Sequence, residues 1–344
     1  MVHELNRVLI LATLSFLVAF GSAPILIRFL VKKKLGKNIR ASAEAPVYAK
    51  LHANKAGTPT MGGVLVWGTV LGLILGVNLL SRLVPTWQNL DFLSRKETLL
   101  PLGALIASAL VGLVDDVFNI KHKGAHGGGL RKRHRLTIYA LIATVGALWF
   151  YFKLDWSVLH VPFFGNYQID GWIVPFFMLV IIATGFTVNE TDGLDGLAGG
   201  ILLTSFAAYA VIAFMLGRYD LAVFCAVIIG ALMAFLWFNI YPAKFFMGDT
   251  GAMPLGVTLG VIAMLTNYAL LLPLIGIVLI IEAVSVLLQW TCRSLFKHKL
   301  FISSPLHHHL EAKGWAEPNI VMRFWIISIV AAAVGVSVFL LERG

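Results

Sequence analysis

Charged residues are scarce in this chain of 344 residues: only 13% of its positions are Asp, Glu, Lys or Arg, whereas 59% are hydrophobic. An ordinary soluble domain has roughly 25% charged residues. A soluble globule must cover a large surface with polar groups, so this composition excludes one. The apolar surface must instead face the hydrocarbon of a lipid bilayer. The sequence therefore predicts an integral membrane protein.

Cysteine is nearly absent as well. Cys225 and Cys292 both lie within apolar stretches, where a thiol behaves as a small hydrophobic side chain. Two such thiols indicate neither a disulfide framework nor a cysteine-based metal site. Acidic residues number 17 against 27 Lys and Arg, which gives a net charge of +10. That excess suits anionic lipid, nucleic acid or a phosphorylated substrate, and the positions of the charges must decide among them.

About ten stretches are long and apolar enough to form transmembrane helices, each of which needs about 20 residues. The predicted spans cover residues 8–31, 62–81, 98–114, 136–153, 172–188, 197–216, 220–238, 254–270, 272–292 and 322–341. The chain thus predicts an all-α polytopic membrane protein with a single domain, residues 1–344. Gly21 to Ala23 resembles a signal-peptide cleavage site, but the apolar run continues to Val31, so a retained span is favoured.

The connectors alternate in charge. If the ten helices run up and down, 20 of the 27 basic residues lie on one side, most of them in connectors 32–55, 121–135 and 293–323. The positive-inside rule makes that side the cytoplasm of a bacterial inner membrane and places both termini on the periplasmic side. Topology accounts for these basic residues, and no nucleic acid is expected as a partner. On the other side, the aromatic-rich connector 153–171 predicts a short hairpin or an interfacial loop.

Acidic residues on the predicted cytoplasmic side cluster at the ends of spans. Asp115 and Asp116 end the third span, Asp192 and Asp195 precede the sixth, and Asp249 precedes the eighth. Acids at helix ends in water are common, but five on one side beside glycine-rich turns indicate a ligand site. Carboxylate oxygens are ligands that Mg²⁺ prefers, and a divalent cation would relieve the repulsion among them.

Three consecutive histidines, His307, His308 and His309, precede the last span. A zinc site is not expected, because adjacent side chains diverge and no cysteine or spaced histidine completes a tetrahedron. Imidazoles at the membrane surface can contact a phosphate or transfer a proton; the alternative is a structural cluster at a helix end. Lys55 and Thr60 lie in a glycine-rich segment before the second span, where helix N-termini bind anions.

Five segments, residues 55–63, 115–116, 189–196, 235–251 and 305–311, together resemble the polyprenyl-phosphate N-acetylhexosamine-1-phosphate transferases, and within them the phospho-N-acetylmuramoyl-pentapeptide transferases. The resemblance implies a ten-helix inner-membrane enzyme with a Mg²⁺-dependent active site that opens on the cytoplasm. It also implies UDP-N-acetylmuramoyl-pentapeptide as the donor and undecaprenyl phosphate as the acceptor, with lipid I and UMP as products. A homodimer is left open.

The resemblance also implies roles for residues. Asp249 corresponds to the aspartate that binds Mg²⁺, and Asp115 to the acid that positions or deprotonates the lipid phosphate, with Asp116 supporting it. His307 would complete the catalytic group. The positions implied to bind substrate are Lys55, Thr60, Asn189, Asp192, Asp195, Gln289, His308 and His309.

Some positions depart from the family pattern. A lysine is usual where this chain has Asn119, and Lys121, Lys123 and Arg135 are candidates to replace that cation. Glu190 stands where the family usually has an apolar residue, and Ala252 where it has a serine. Glu282, in the ninth predicted span, is expected to have a structural role.

Two other functions remain open from the sequence. One is a sibling transferase that uses a simpler UDP-N-acetylhexosamine, although the motifs at 58–63 and 307–311 argue against it. The other, of a different class, is an ion-coupled transporter with the carboxylates as a proton relay. Acids of such a relay belong near the middle of the membrane, whereas these lie at the ends of spans.

Overall fold

The structure is a computed structural model that describes residues 1–36, 52, 55–94, 96–121 and 129–343, without the side chain of Lys132. Within these residues, nine helices are long and apolar enough to cross a membrane. A tenth, Asp249–Leu265, has 17 residues. Each predicted span therefore corresponds to a helix, and the chain is an all-α polytopic membrane protein.

The helices follow the predicted spans closely except at their ends. Their bounds are α1 Val2–Lys32, α2 Gly63–Leu83, α3 Leu99–Ile120, α4 Lys132–Leu154, α5 Ile173–Thr191, α6 Leu197–Met215, α7 Tyr219–Asn239, α8 Asp249–Leu265, α9 Leu272–Ile275, α10 Ile277–Leu295, α11 Leu306–Ala312 and α12 Glu317–Arg343. The predicted span 272–292 is divided, because the helix is interrupted at Gly276 after the single turn of α9. Helix α3 continues beyond the predicted end at 114, so Asp115 and Asp116 lie in its last turns.

Helix α8 lies at the centre of the bundle, and every residue from Thr250 to Leu265 is buried. It packs against α3 on one side and α5 on another. Small residues permit this close approach: a Cβ at Gly112 of α3 would lie 2.3 Å from the carbonyl oxygen of Asp249, and one at Gly256 would lie 2.7 Å from that of Thr184. The start of α8 is therefore held directly against the end of α3.

The connector between α4 and α5 contains the predicted hairpin. Strands β1 (Val158–Val161) and β2 (Gly165–Gln168) pair antiparallel, with Val158 opposite Gln168. The hairpin joins the end of α4 to the start of α5, whereas Arg135 and Asn189 lie toward the opposite ends of these two helices.

Candidate active site

Asp116 connects the end of α3 to the start of α8. Its carboxylate oxygens accept hydrogen bonds from the backbone N–H groups of Asp249 (3.1 Å) and Thr250 (3.0 Å). The first N–H groups of a helix have no partner inside it, so Asp116 satisfies two donors of α8 from a neighbouring helix. Gly248 precedes them with φ 73°, and a Cβ there would lie 2.6 Å from the Asp116 carboxylate. Asp116 thereby places the side chain of Asp249.

The side chain of Asp249 belongs to a network of residues from four helices. Arg135 Nη2 lies 2.6 Å from Asp115 Oδ2 and 2.9 Å from Asp249 Oδ2. Arg135 Nη1 donates to Asn189 Oδ1 at 3.0 Å, and Asn189 Nδ2 donates to Asp249 Oδ1 at 2.5 Å. Asp115, Arg135, Asn189 and Asp249 are contributed by α3, α4, α5 and α8. We call these four residues the arginine network.

Arg135 is one of the three cations considered as a replacement for the lysine that is missing at Asn119. Of the other two, Lys121 is an exposed residue at the end of α3, and Lys123 lies outside the described residues. Arg135 lies in the first turns of α4, directly beside Asp115. A guanidinium with two donors toward one side can bind a phosphate as well as a carboxylate.

The donor atoms of the arginine network fit a magnesium ion. Asp115 is fully buried; its Oδ2 contacts the guanidinium of Arg135, and its Oδ1 accepts the backbone N–H of Leu130. Two carboxyl groups flank one guanidinium, and Asn189 adds an amide oxygen beside them. An all-oxygen set of this kind suits a hard divalent cation, which completes its shell with water and substrate phosphates.

Lys55 and Asp195 have a different set of partners. Lys55 Nζ lies 2.6 Å from Asp195 Oδ1 and 2.5 Å from Glu317 Oε1, at the start of α12. Glu317 Oε1 also accepts the backbone N–H of Asp195 at 2.7 Å, and Asp195 Oδ2 accepts that of Ala243 at 3.0 Å. Lys55, Asp195 and Glu317, here called the lysine cluster, therefore join three separate chain segments. Nothing in the sequence around Glu317 predicts this contact.

Thr60 and Asp192 border these two groups. Thr60 is buried, and its hydroxyl faces the turn before Asp249, where a Cβ at Gly248 would lie 2.7 Å from Oγ1. Asp192 follows the last residue of α5 and begins the loop 192–196, one helical turn after Asn189. Both residues thus lie along the chain segments that carry the arginine network or adjoin it.

His307 begins the first turn of α11 and is fully buried together with Glu282 of α10. His307 Nδ1 lies 3.0 Å from Glu282 Oε2, and the backbone N–H of His307 donates to the same carboxylate. Among the described residues, Nε2 of His307 has no hydrogen-bond partner. It faces the loop 192–196, since a Cβ at Gly193 would lie 2.1 Å from it.

His308 belongs to another buried group. Glu311 Oε2 lies 2.7 Å from His308 Nδ1 and 3.1 Å from His52 Nε2. Burial and the neighbouring His307 lower the pKa of His308 to about 3. Burial opposes ionisation of Glu311, but hydrogen bonds with His308 and His52 outweigh it and lower the pKa of Glu311 to about 2. At neutral pH the group is an ionised carboxylate beside a neutral His308.

A histidine distant in sequence lies beside the triple-histidine run, which the sequence analysis did not predict. Ligand atoms of His52, His308 and Glu311 all lie within 4.8 Å of one another. Sequence reasoning missed His52, because a lone histidine in a basic connector gives no indication of a partner that lies 259 positions away. The carboxylate already accepts a hydrogen bond from each histidine, so the group is closed without a metal.

Gln289 and His309 both contact the segment that follows α10. Gln289 Oε1 accepts the backbone N–H groups of Leu300 (3.0 Å) and Phe301 (2.9 Å), and its Nε2 donates to the Phe301 carbonyl oxygen. His309 Nδ1 accepts the N–H of Ile302 at 3.2 Å. The two side chains expected to bind substrate thus hold residues 300–302 against α10 and α11.

Comparison with known proteins identifies what this arrangement belongs to. The family model for glycosyl transferase family 4 matches residues 98–267, and signature 1 of the phospho-N-acetylmuramoyl-pentapeptide-transferases matches residues 55–65. The phospho-N-acetylmuramoyl-pentapeptide-transferase of Chloroflexus aurantiacus is 38% identical, over 99% of this chain and 92% of the relative. The chain belongs to the phospho-N-acetylmuramoyl-pentapeptide-transferase family.

Other relatives agree with this assignment. Proteins of the same description from Thermodesulfovibrio yellowstonii and a Geobacillus species are 36% and 37% identical, over 95% and 96% of this chain. The chain is thus a membrane-embedded transferase, as the sequence motifs indicated, and the transporter alternative is wrong. The 98–267 match contains all four residues of the arginine network, and the signature contains Lys55 and Thr60.

Proposed function

We propose that the protein transfers phospho-N-acetylmuramoyl-pentapeptide from its UDP-linked donor to undecaprenyl phosphate, which yields lipid I and UMP. The observation that carries this proposal is the convergence of Asp115, Asn189 and Asp249 on Arg135 at one end of four spans. The site is built for phosphate chemistry beside a membrane. Its relatives, each named a phospho-N-acetylmuramoyl-pentapeptide-transferase, support this choice of donor.

The transfer exchanges one bond to phosphorus for another. An oxygen of the lipid phosphate becomes bonded to the sugar-linked phosphorus, and the bond from that phosphorus to the bridging oxygen breaks, so that UMP leaves. Asp115 takes up a proton from the lipid phosphate or orients it. Arg135 donates to phosphate oxygens and balances the charge that develops on them. Asp116 holds Asp249 in position through the start of α8.

The proposed cofactor is Mg²⁺, which Asp249 would hold together with the neighbouring oxygens of Asp115 and Asn189. When bound, it supplies positive charge that stabilises the departing phosphate and orients the donor. Thr60 and Asp192 would approach the donor from the segments that precede α2 and α6, and the contact between Lys55 and Asp195 would hold these segments together.

We also propose that this site faces the cytoplasm of the bacterial inner membrane, with both termini periplasmic. The support is the excess of Lys and Arg in the connectors at the end of the bundle that carries Arg135. Cysteine labelling from either side of intact cells would test it. Thiols introduced in the β1–β2 hairpin should react from outside, and thiols beside Lys121 should not.

The activity itself is tested with purified protein in detergent. Undecaprenyl phosphate is offered with UDP-N-acetylmuramoyl-pentapeptide or with UDP-N-acetylglucosamine, and UMP and lipid product are measured with and without Mg²⁺. We expect lipid product from the muramoyl donor, and none after Mg²⁺ is chelated. Product from UDP-N-acetylglucosamine alone would establish the sibling transferase instead.

A further inference from the structure

Glu282 has an arrangement that its expected structural role does not require. It lies in α10 and is fully buried, as is His307 at the start of α11. Both of its carboxylate oxygens accept the backbone N–H of His307, at 3.2 and 3.4 Å, and Oε2 also contacts the imidazole Nδ1 at 3.0 Å. Contact with the backbone alone would suffice to fasten the two helices. The second contact, with the ring, needs another explanation.

The ring contact determines which nitrogen of His307 carries a proton. An ionised carboxylate can only accept hydrogen bonds, so Nδ1 must donate to Glu282. Burying an unpaired carboxylate is costly, and the imidazole compensates for it. The same carboxylate stabilises the doubly protonated ring once a further negative group arrives at Nε2, as an acid beside a histidine does in hydrolytic enzymes.

The remaining nitrogen faces the loop 192–196. Nε2 is buried and has no hydrogen-bond partner among the described residues. It faces Gly193, where a Cβ would lie only 2.1 Å away. Gly193 belongs to the loop that follows α5, four residues after Asn189 of the arginine network. The titratable groups that contact the ring are Glu282 of α10 and His308 of α11.

The second buried histidine of α11, His308, has partners that differ from those of His307. His308 Nδ1 meets Glu311, and this carboxylate is shared with His52. That group joins His52 to α11. Among the described histidines, Glu282 contacts only His307. This contact uses Nδ1 of His307 and leaves Nε2 without a hydrogen bond to any described residue at the loop 192–196.

We propose that Glu282 is a positioning residue of the transferase: it orients His307 with Nδ1 protonated, so that Nε2 can bind a phosphate oxygen of the UDP-linked donor as an N–H donor. This inference rests on the proposed function for the identity of that donor. It assigns Glu282 a role that depends on its negative charge and acts through His307. A carboxylate that only fastened α10 to α11 would be replaceable by a neutral side chain of the same shape.

The test compares Glu282→Gln, which keeps the shape and removes the charge, with Ser285→Ala as the matched control. Ser285 is buried one turn further along α10 and donates only to the Glu282 carbonyl oxygen at 2.7 Å. We expect Glu282→Gln to lower kcat/KM about 10- to 100-fold and to move the alkaline limb of its pH profile to lower pH. Ser285→Ala should change neither. In a His307→Asn background, Glu282→Gln should have little further effect.

A binding measurement keeps the inference separate from the proposed function. Calorimetry with UDP as the probe should show affinity reduced about 10-fold in Glu282→Gln and unchanged in Ser285→Ala. A wild-type protein that shows this pattern but forms no lipid product would support the role of Glu282 and refute the proposed function. An active wild type whose Glu282→Gln variant binds UDP normally and keeps its pH profile would refute the role of Glu282.

Discussion

Two cations in this protein lie between two carboxylates, and they differ in what surrounds them. Arg135 contacts Asp115 and Asp249, whereas Lys55 contacts Asp195 and Glu317. In the arginine network, Asp115 Oδ1 accepts the backbone N–H of Leu130, but among the described residues the buried Arg135 Nε has no hydrogen-bond partner. In the lysine cluster, the carboxylates accept the backbone N–H groups of Asp195 and Ala243, and among the described residues no buried side-chain nitrogen or oxygen of the cluster lacks a partner.

This difference distinguishes a group of residues that binds a ligand from a group that only holds chain segments together. A buried polar atom without a partner is costly in a folded protein, so the unpaired Nε of Arg135 indicates a ligand that supplies the missing contact. The lysine cluster is satisfied by its own chain and fastens the segment around Lys55 to the loop 192–196 and to α12. The two groups nevertheless look equivalent in sequence, since each consists of a basic residue and distant acids.

The largest effect is expected from Asp249→Ala. The variant loses the carboxylate that contacts both Arg135 and Asn189, and with it a ligand of the proposed Mg²⁺ site, so turnover should fall by at least about 1,000-fold. Helix α8 should remain in place because Asp116 binds its backbone rather than this side chain. Lipid I formation and the thermal unfolding midpoint are measured together. Full activity would show that the arginine network is not the site.

A smaller and more selective loss is expected from Asp115→Asn. It removes a charge and a proton acceptor while the shape is kept, so the rate should fall about 100-fold or more with little change in UDP affinity. Single-turnover rates and calorimetric titration with UDP separate the two effects. An equal loss in rate and in UDP affinity would assign Asp115 to donor binding instead.

We expect a substitution in the lysine cluster to lower the stability of the protein and to leave its activity largely unchanged. Glu317→Ala removes acceptors for Lys55 Nζ and for the backbone N–H of Asp195, which we expect to cost about 1–3 kcal/mol of unfolding free energy. The unfolding midpoint in detergent should drop, while turnover well below that midpoint is retained. A variant that is stable but inactive would mean that both clusters take part in the chemistry, and the distinction drawn between them would fail.

The smallest effect is the pH dependence of stability that arises from the buried group of His52, His308 and Glu311. Burial and His307 hold the pKa of folded His308 at about 3, below its ordinary value of 6.5. Between these values a falling pH protonates His308 in the unfolded chain but not in the folded one, so stability declines as the pH falls. Glu311, with its pKa lowered to about 2 from 4.5, acts in the same direction at lower pH.

Unfolding midpoints of the wild type and of His308→Gln, measured from pH 7 downward, check this expectation. The variant lacks the titrating ring, so its midpoint should fall less between about pH 6.5 and pH 4.5. Parallel curves for the two proteins would show that His308 takes up its proton equally well in the folded state.

Local sequence patterns predicted much of the fold. Hydropathy alone located ten helices, because a backbone in hydrocarbon must satisfy its own hydrogen bonds and needs an apolar run of spanning length. The hairpin at 158–168 followed from aromatic and turn residues. The acids Asp115, Asp116 and Asp249 were grouped correctly, since acids at the ends of spans on one side of a membrane come close together.

The partners of those acids could not be predicted in this way. The side chain of His52 contacts Glu311, that of Lys55 contacts Glu317, and that of Glu282 contacts His307. Each pair joins separate helices or loops. Gln289 was expected to bind substrate, yet it holds the backbone of residues 300–302. Such contacts depend on how far each helix extends, how it is rotated and where its neighbours cross it.

What the sequence alone determined is therefore the number of spans, their alternation and the end of the bundle that gathers acids and bases. These properties arise from transfer of each segment between water and lipid, which depends on local composition. The tertiary structure alone decided that Arg135 rather than Lys121 reaches Asp115, and that Glu282 serves His307. Hydrogen bonds and ion pairs act over a few ångströms, so they exist only after packing has set the helices in register.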